Sequence, residues 1–335
     1  MHRLCFITTL RQITLILIAL LVLGCERGGS SSATLQPDDP ETPEQVIPRI
    51  IVLAPALGVI CQDLGFEDQI VGKHAWDQSL GSSIASVGTH DDPDLEKIIG
   101  LEPTHILVQR LETPTPGVLE KMADERGWAV WDFPLLDLDD IAEAIDEIHL
   151  RFAGGPSPEF NLERPGSIDP SETLGIELPS ARLADAWRDR GPNARAAGHV
   201  LLLAQTDPPG AMGPGSYHHQ LLKRLGATPA LQSGGAWQEL DHEDIVRLAP
   251  DAIVVFAPRP RDAAGIGARA APGPRKALAA LGGIGSLDIP AIRDGRVWLI
   301  DDPLGLMPAS SLATIADQLG EAFEAWASQP ATTVP

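Results

Sequence analysis

Apolar residues in this chain arrive as short unbroken runs, separated by segments in which they recur at helical spacing. That alternation is expected where strands are buried on both faces and helices cover them. Arg49-Ile50-Ile51-Val52-Leu53-Ala54-Pro55 is the first such run, and His199-Val200-Leu201-Leu202-Leu203-Ala204 is similar to it. Each is followed by a stretch that closes on Leu-Gly, at Leu64-Gly65 and at Leu225-Gly226. A second echo is longer. Asp94-Leu95-Glu96-Lys97-Ile98-Ile99-Gly100-Leu101-Glu102-Pro103 precedes Ile106-Leu107-Val108, and Asp241 to Pro250 precedes Ile253-Val254-Val255. Matched residues keep one offset of 147 positions (94 and 241, 96 and 243, 103 and 250). Apolar residues behind each glutamate suit a short amphipathic helix, which the proline stops before a buried strand.

Between the echoes, Leu138, Ile141, Ile145, Ile148 and Phe152 recur at helical spacing, with acids on the opposite face. A second helical piece, Ser180 to Arg190, follows Pro179. Residues 154–179 are proline-rich with little periodicity and read as a loop or excursion. The pattern predicts an α/β protein with two Rossmann-like lobes, each built on a parallel sheet, joined by a helical linker. The expected boundaries are 49–137 for the first lobe, 138–198 for the linker with its excursion, and 199–330 for the second lobe.

Charge then narrows the function. The chain carries 46 acids against 25 bases, a net charge of −21. Such a surface argues against nucleic acid as a partner. Three cysteines give no disulfide framework and no cysteine-type zinc site, and Cys61 lies in the apolar stretch Gly58-Val59-Ile60-Cys61, where it reads as core. The N-terminus reads as an export signal: Arg3 and Arg11 flank an apolar run from Ile13 to Leu23, which is too short to span a bilayer core of about 30 Å. Val22-Leu23-Gly24-Cys25 resembles the lipobox of bacterial lipoproteins, which implies cleavage after residue 24 and lipidation of Cys25. Residues 25–48 are rich in Gly, Ser, Pro and acid, the composition of a flexible tether. The expected location is the periplasm or the cell surface, on a membrane anchor.

Taken in order, several segments resemble helical-backbone (class III) periplasmic binding proteins, the substrate-binding components of ABC importers for vitamin B12 and iron–siderophore complexes. In the first half these are residues 49–55, Asp68-Gln69-Ile70-Val71-Gly72, and Asp94 to Ile98 with Pro103. In the second half they are Gly213-Pro214-Gly215-Ser216-Tyr217, Leu221-Leu222 with Leu225-Gly226, Trp237 to Pro250, and Gly295-Arg296-Val297-Trp298 with Asp301. The resemblance implies a monomer that captures cobalamin or a ferric siderophore between two lobes, performs no chemistry on it, and delivers it to a homodimeric permease with its ATPase. No cofactor is implied beyond that cargo, a cobalt corrinoid or ferric chelate. It also implies that Glu96 and Glu243, one on each lobe, dock into the two permease subunits.

In open α/β sheets the ligand crevice lies beyond the carboxyl ends of the strands. Loops there carry Trp76, Asp77, His90 and Arg110 in the first half, and Tyr217, His218, Trp237, Arg259 and Asp301 in the second. The aromatic rings suit a flat macrocycle or catecholate, and the arginines suit carboxylate or phosphate groups. Histidines 74, 90, 218 and 219 leave a rival open, a haem- or zinc-binding protein on the same fold. An exported metallohydrolase is a weaker rival, since the sequence has no HExxH, and a serine hydrolase would want a Gly-x-Ser-x-Gly that is also missing.

Overall fold

The computed structural model of the chain describes residues 47–110, 115–153, 178–260 and 273–328. The expected signal peptide, Cys25, the tether through residue 46 and the 154–177 part of the excursion lie outside these residues. Among the described residues no helix is long and apolar enough to cross a membrane.

The first sheet is built from β1 (Ile50–Val52), β2 (Ile70–Lys73), β3 (Ala85–Ser86), β4 (His105–Gln109) and β5 (Ala129–Phe133). Helices α1 (Pro55–Asp63), α2 (Leu95–Leu101) and α3 (Gly117–Arg126) connect them. Its order is β3-β2-β1-β4-β5 and every pairing is parallel. All three residues of β1 are buried, which is why the sequence there is an unbroken apolar run with no alternation.

Helices α4 (Leu138–Ala153), α5 (Ser180–Ala186) and α6 (Pro192–Ala196) lead to the second sheet. That sheet contains β6 (His199–Thr206), β7 (Pro209–Met212), β8 (Thr228–Pro229), β9 (Trp237–Glu239), β10 (Ala252–Phe256) and β11 (Val297–Ile300). Its helices are α7 (Tyr217–Arg224), α8 (His242–Leu248), α9 (Pro274–Ala280), α10 (Pro290–Arg293) and α11 (Leu312–Ala327). The order is β11-β10-β6-β7-β9, with β8 also paired to β6. The expectation of a second wholly parallel sheet is corrected here. Strand β6 does not stop at Ala204; it runs on to Thr206 and turns back through Asp207-Pro208 into β7. Strand β7 is antiparallel to β6, and β9 is antiparallel to β7. Asp-Pro is a turn-forming pair, and a proline opening an edge hairpin sacrifices no interior ladder bond.

The internal echo has a structural counterpart. Helix α2 is capped by Asp94, which accepts from Lys97 N–H at 3.1 Å, and α8 by Asp241, which accepts from Asp244 N–H at 2.7 Å. Each ends on a left-handed residue, Glu102 at φ 45° and Ala249 at φ 44°, followed by proline and a buried strand. Helices α1 and α7 likewise end on Leu64 and Leu225, with Gly65 (φ 83°) and Gly226 (φ 87°) in the left-handed region that glycine enters at no steric cost.

One apolar core runs through both halves. It joins Ile50, Leu57 and Ile60 to Leu138, Ile141, Ile145 and Ile148 of α4, then to Val200, Leu202, Leu221 and Leu225, and to Leu312, Ile315, Leu319 and Phe323 of α11. Buried side chains of this size each contribute roughly 1.5–3 kcal/mol. Smaller cores lie beneath α2 and α3 and beneath α8 and α9. Polar ties add to the join: Arg224 pairs with Asp139, Ser310 donates to Asp63, and Leu138 N–H donates to Gln220 Oε1 at 3.3 Å.

Candidate functional site

Both sheets reverse their winding beside their first strand, between β1 and β4 and between β6 and β10. Ligand crevices of open α/β sheets form beyond the carboxyl ends of strands at such points. Arg110 leaves β4 and Arg259 follows β10, so an arginine sits at the switch point of each sheet.

Neither arginine is free. Arg110 donates through Nε and Nη2 to the two carboxylate oxygens of Asp132 on the neighbouring strand β5, both at 2.8 Å. The hydrogen bonds from Arg110 hold the Asp132 carboxyl below its usual range, and the same bonds raise the guanidinium. Arg259 donates from Nη1 to Asp301 Oδ1 at 3.0 Å and to the Asp301 carbonyl at 3.1 Å, and its backbone N–H reaches that carbonyl at 3.2 Å. Lys276 holds the other carboxylate oxygen of Asp301 at 2.8 Å.

The loop after β2 is braced from below. Lys73 is buried and donates from Nζ to the carbonyls of Leu80 and Gly81 at 3.0 and 3.1 Å. Asp77 is buried too, and its Oδ1 accepts from Ser79 N–H, Ser79 Oγ and Leu80 N–H. Its Oδ2 lies against Gly58 of α1, where a Cβ would come within 2.5 Å; glycine is what lets helix and carboxylate approach. On this base Trp76 stands out, 76% exposed, its N–H donating to His74 Nδ1 at 3.2 Å and its ring edge-on to the imidazole. Burial lowers the His74 pKa, against an opposing pull from Asp77 and with some help from His90, which is buried nearby after β3.

In the second sheet Trp237 is the first residue of β9 and is 49% exposed. Its indole lies over Gly210 of β7, where a Cβ would sit 2.2 Å from Cζ2. Gly210 pairs with Gln205 near the carboxyl end of β6, so the ring leans toward that end of the sheet. Tyr217 and His218 behave differently from what their position in sequence suggests. The Tyr217 hydroxyl donates to the Leu306 carbonyl at 2.7 Å, and burial pushes its pKa up to about 12. His218 is enclosed, with Nε2 2.7 Å from the Gly305 carbonyl and its ring edge-on to Phe256; burial pushes its pKa down to about 4. These two residues anchor the loop after β11, and His218 has no path to a ligand. His219 is likewise buried, its Nε2 3.1 Å from the Leu231 carbonyl.

Glu96 and Glu243 are exposed in the first turns of α2 and α8. A concavity of about 410 Å³ lies elsewhere, at the free edge of the first sheet, lined by Glu120, Asp124, Trp128 and Asp132 among others. It is an acidic recess of one lobe and does not include the two exposed tryptophans. Among the described residues no group of three or more His, Cys, Asp or Glu is placed to hold a metal ion. Sequence reasoning missed Asp132, Lys276, Lys73 and His74's contact with Trp76. Asp132 and Lys276 meet their partners across neighbouring strands, which periodicity does not reveal.

No family model matches the sequence, and no curated protein matches it. Solved structures do. A periplasmic heme binding protein, HutB of Vibrio cholerae, superposes with a TM-score of 0.59 at 18% identity, covering 82% of this chain and 98% of that one. A periplasmic heme binding protein from Pseudomonas aeruginosa gives 0.58 at 21% identity, over 84% and 94%. The periplasmic vitamin B12 binding protein BtuF of Vibrio cholerae gives 0.55 at 17%, over 84% and 98%. With two sheets that each reverse their winding beside the first strand, and near-complete coverage of these proteins, this chain has the two-lobed α/β fold of periplasmic binding proteins.

Proposed function

We propose that the chain is the substrate-binding component of an ABC importer, capturing a metal chelate such as cobalamin or a ferric siderophore between its two lobes. The observation that carries this reading is the pair of exposed tryptophans, one per lobe. A large apolar ring left in water costs solubility and is retained where it meets something. Trp76 stands on a loop fixed by Lys73 and Asp77, and Trp237 lies over Gly210, so each ring is pre-organised and loses little freedom on binding. The lobes are taken as 49–137 and 199–330 with 138–198 between them, and no step of chemistry is performed on the cargo. Lipidation at Cys25 would hold the chain at a membrane of the periplasm or cell surface. Glu96 and Glu243 occupy equivalent, exposed positions and would meet the two permease subunits; such charges act on orientation and on-rate more than on affinity.

The test is titration of the purified chain with cobalamin, ferric siderophores and haem, followed by tryptophan fluorescence. Saturable quenching that weakens in Trp76→Ala and Trp237→Ala is the expected result. No response to any of the three would refute chelate capture.

A haem-binding reading is favoured by one observation, the imidazoles of His74 and His90 together at the carboxyl end of the first sheet. His218 and His219, each within hydrogen-bond distance of a carbonyl, do not contribute to it. Haem ligated by the protein would shift its Soret band, and His90→Ala would abolish that shift; cobalamin or siderophore capture predicts neither.

A further inference from the structure

We infer that the captured chelate presents a neutral or cationic rim to the protein rather than a polyanionic one, an inference that rests on the capture reading above. The two arginines at the switch points are the groups a negatively charged chelate would need, and both are neutralised from within. Arg110 commits Nε and Nη2 to Asp132, and these two donors form the guanidinium edge whose geometry matches a carboxylate. Arg259 is held by both the side chain and the carbonyl of Asp301, and the remaining Asp301 oxygen takes the ammonium of Lys276.

The arrangement occurs twice in one chain, by different residues at different sequence separations. Asp132 lies on β5 beside β4, and Asp301 follows β11 beside β10. In each sheet the strand neighbouring the arginine supplies the counter-charge. An anionic ligand would have to displace an aspartate and leave it unpaired beside its own negative charge, an arrangement that discriminates against anions. The field of the whole molecule acts in the same sense, since a net charge of −21 lowers the local concentration of anions. What the site offers instead, among the described residues, is two indole faces, which take flat apolar or amide-edged surfaces without regard to sign.

The test uses the full chain in detergent micelles and iron(III) chelates that differ in charge: a cationic tris-hydroxamate and a trianionic tris-catecholate, with cyanocobalamin as a third probe. At low ionic strength the hydroxamate or the corrinoid is expected to bind at least about tenfold more tightly than the trianion. Asp132→Asn should free Arg110 and raise affinity for the trianion by about tenfold while leaving the other two unchanged. Added salt should strengthen binding of the trianion by native protein and leave the corrinoid unaffected, a readout that needs no variant. Binding of the trianion as tightly as the others, or its weakening by salt, would overturn the charge inference and leave chelate capture standing. Failure of every probe to bind would instead remove the capture reading itself.

Discussion

The two lobes share a frame and differ at their working edges. Both carry a capped helix that ends on a left-handed residue before a proline and a buried strand, and both carry a helix that ends on Leu-Gly. Around that frame the first sheet is wholly parallel, and it holds its tryptophan on a loop pinned by a buried lysine and aspartate. The second gains an antiparallel hairpin and holds its tryptophan on a strand. The helices after the first strands differ too. Aligned on their Leu-Gly ends, α1 places Leu57 where α7 places His218, and both are fully enclosed. Repetition therefore marks what supports the sheets, and divergence marks what a ligand or a titrating proton would meet.

Substitution at matched positions sharpens this comparison. Ile98 and Ile245 are the same position of α2 and α8, and both are fully buried. Truncating either to alanine should cost about 2–5 kcal/mol, by chemical denaturation, and the two costs should agree if the frame is truly common. Next in size is a difference confined to the second lobe. The folded-state pKa of His218 is pushed from 6.5 down to about 4, so the unfolded state binds more protons between those values. Its contribution is intact above pH 6.5 and is lost as pH falls toward 4, amounting to about 3 kcal/mol. His218→Gln should flatten the stability profile across that window, measured against the native chain.

Cap removal is expected to be smaller and unequal. Asp94→Ala and Asp241→Ala should each cost about 1 kcal/mol, with Asp241 the costlier because Asp244 Oδ2 reciprocates by accepting its N–H at 3.2 Å. Thermal unfolding of the two variants side by side would show the order. The smallest effect belongs to Glu96→Ala and Glu243→Ala. These exposed side chains should change stability by less than about 0.5 kcal/mol, while uptake of the chelate by cells falls in both. A variant that lost ligand affinity instead would break the docking assignment.

Much of the frame was legible in the sequence because it is written in local patterns. The unbroken run at β1, the stripe of Leu138, Ile141, Ile145 and Ile148, and the proline stops at 103 and 250 all follow from neighbours within a few positions. The hairpin of β6 and β7 was less so, since Asp207-Pro208 marks a turn without saying which strands it joins. At the site, the positions of Trp76, Arg110, Trp237 and Arg259 near the strand ends followed from strand placement. Their states did not. Asp132 reaches Arg110 only because β5 lies beside β4, and nothing in a run of 22 residues announces that register. His218 reads as a loop-end histidine until the packing of Phe256 and the Gly305 carbonyl encloses it.

The core that passes from β1 through α4 to β6 and α11 has a practical corollary. With apolar contacts continuous from one sheet to the other, the two halves are expected to melt as one transition. A ligand held only by loops at the strand tips would then raise the melting temperature of the entire molecule. At a concentration of about a hundred times its dissociation constant, it should add about 2.7 kcal/mol to that single transition. A panel of candidate chelates can therefore be ranked by thermal shift alone, with no spectroscopic handle on any of them.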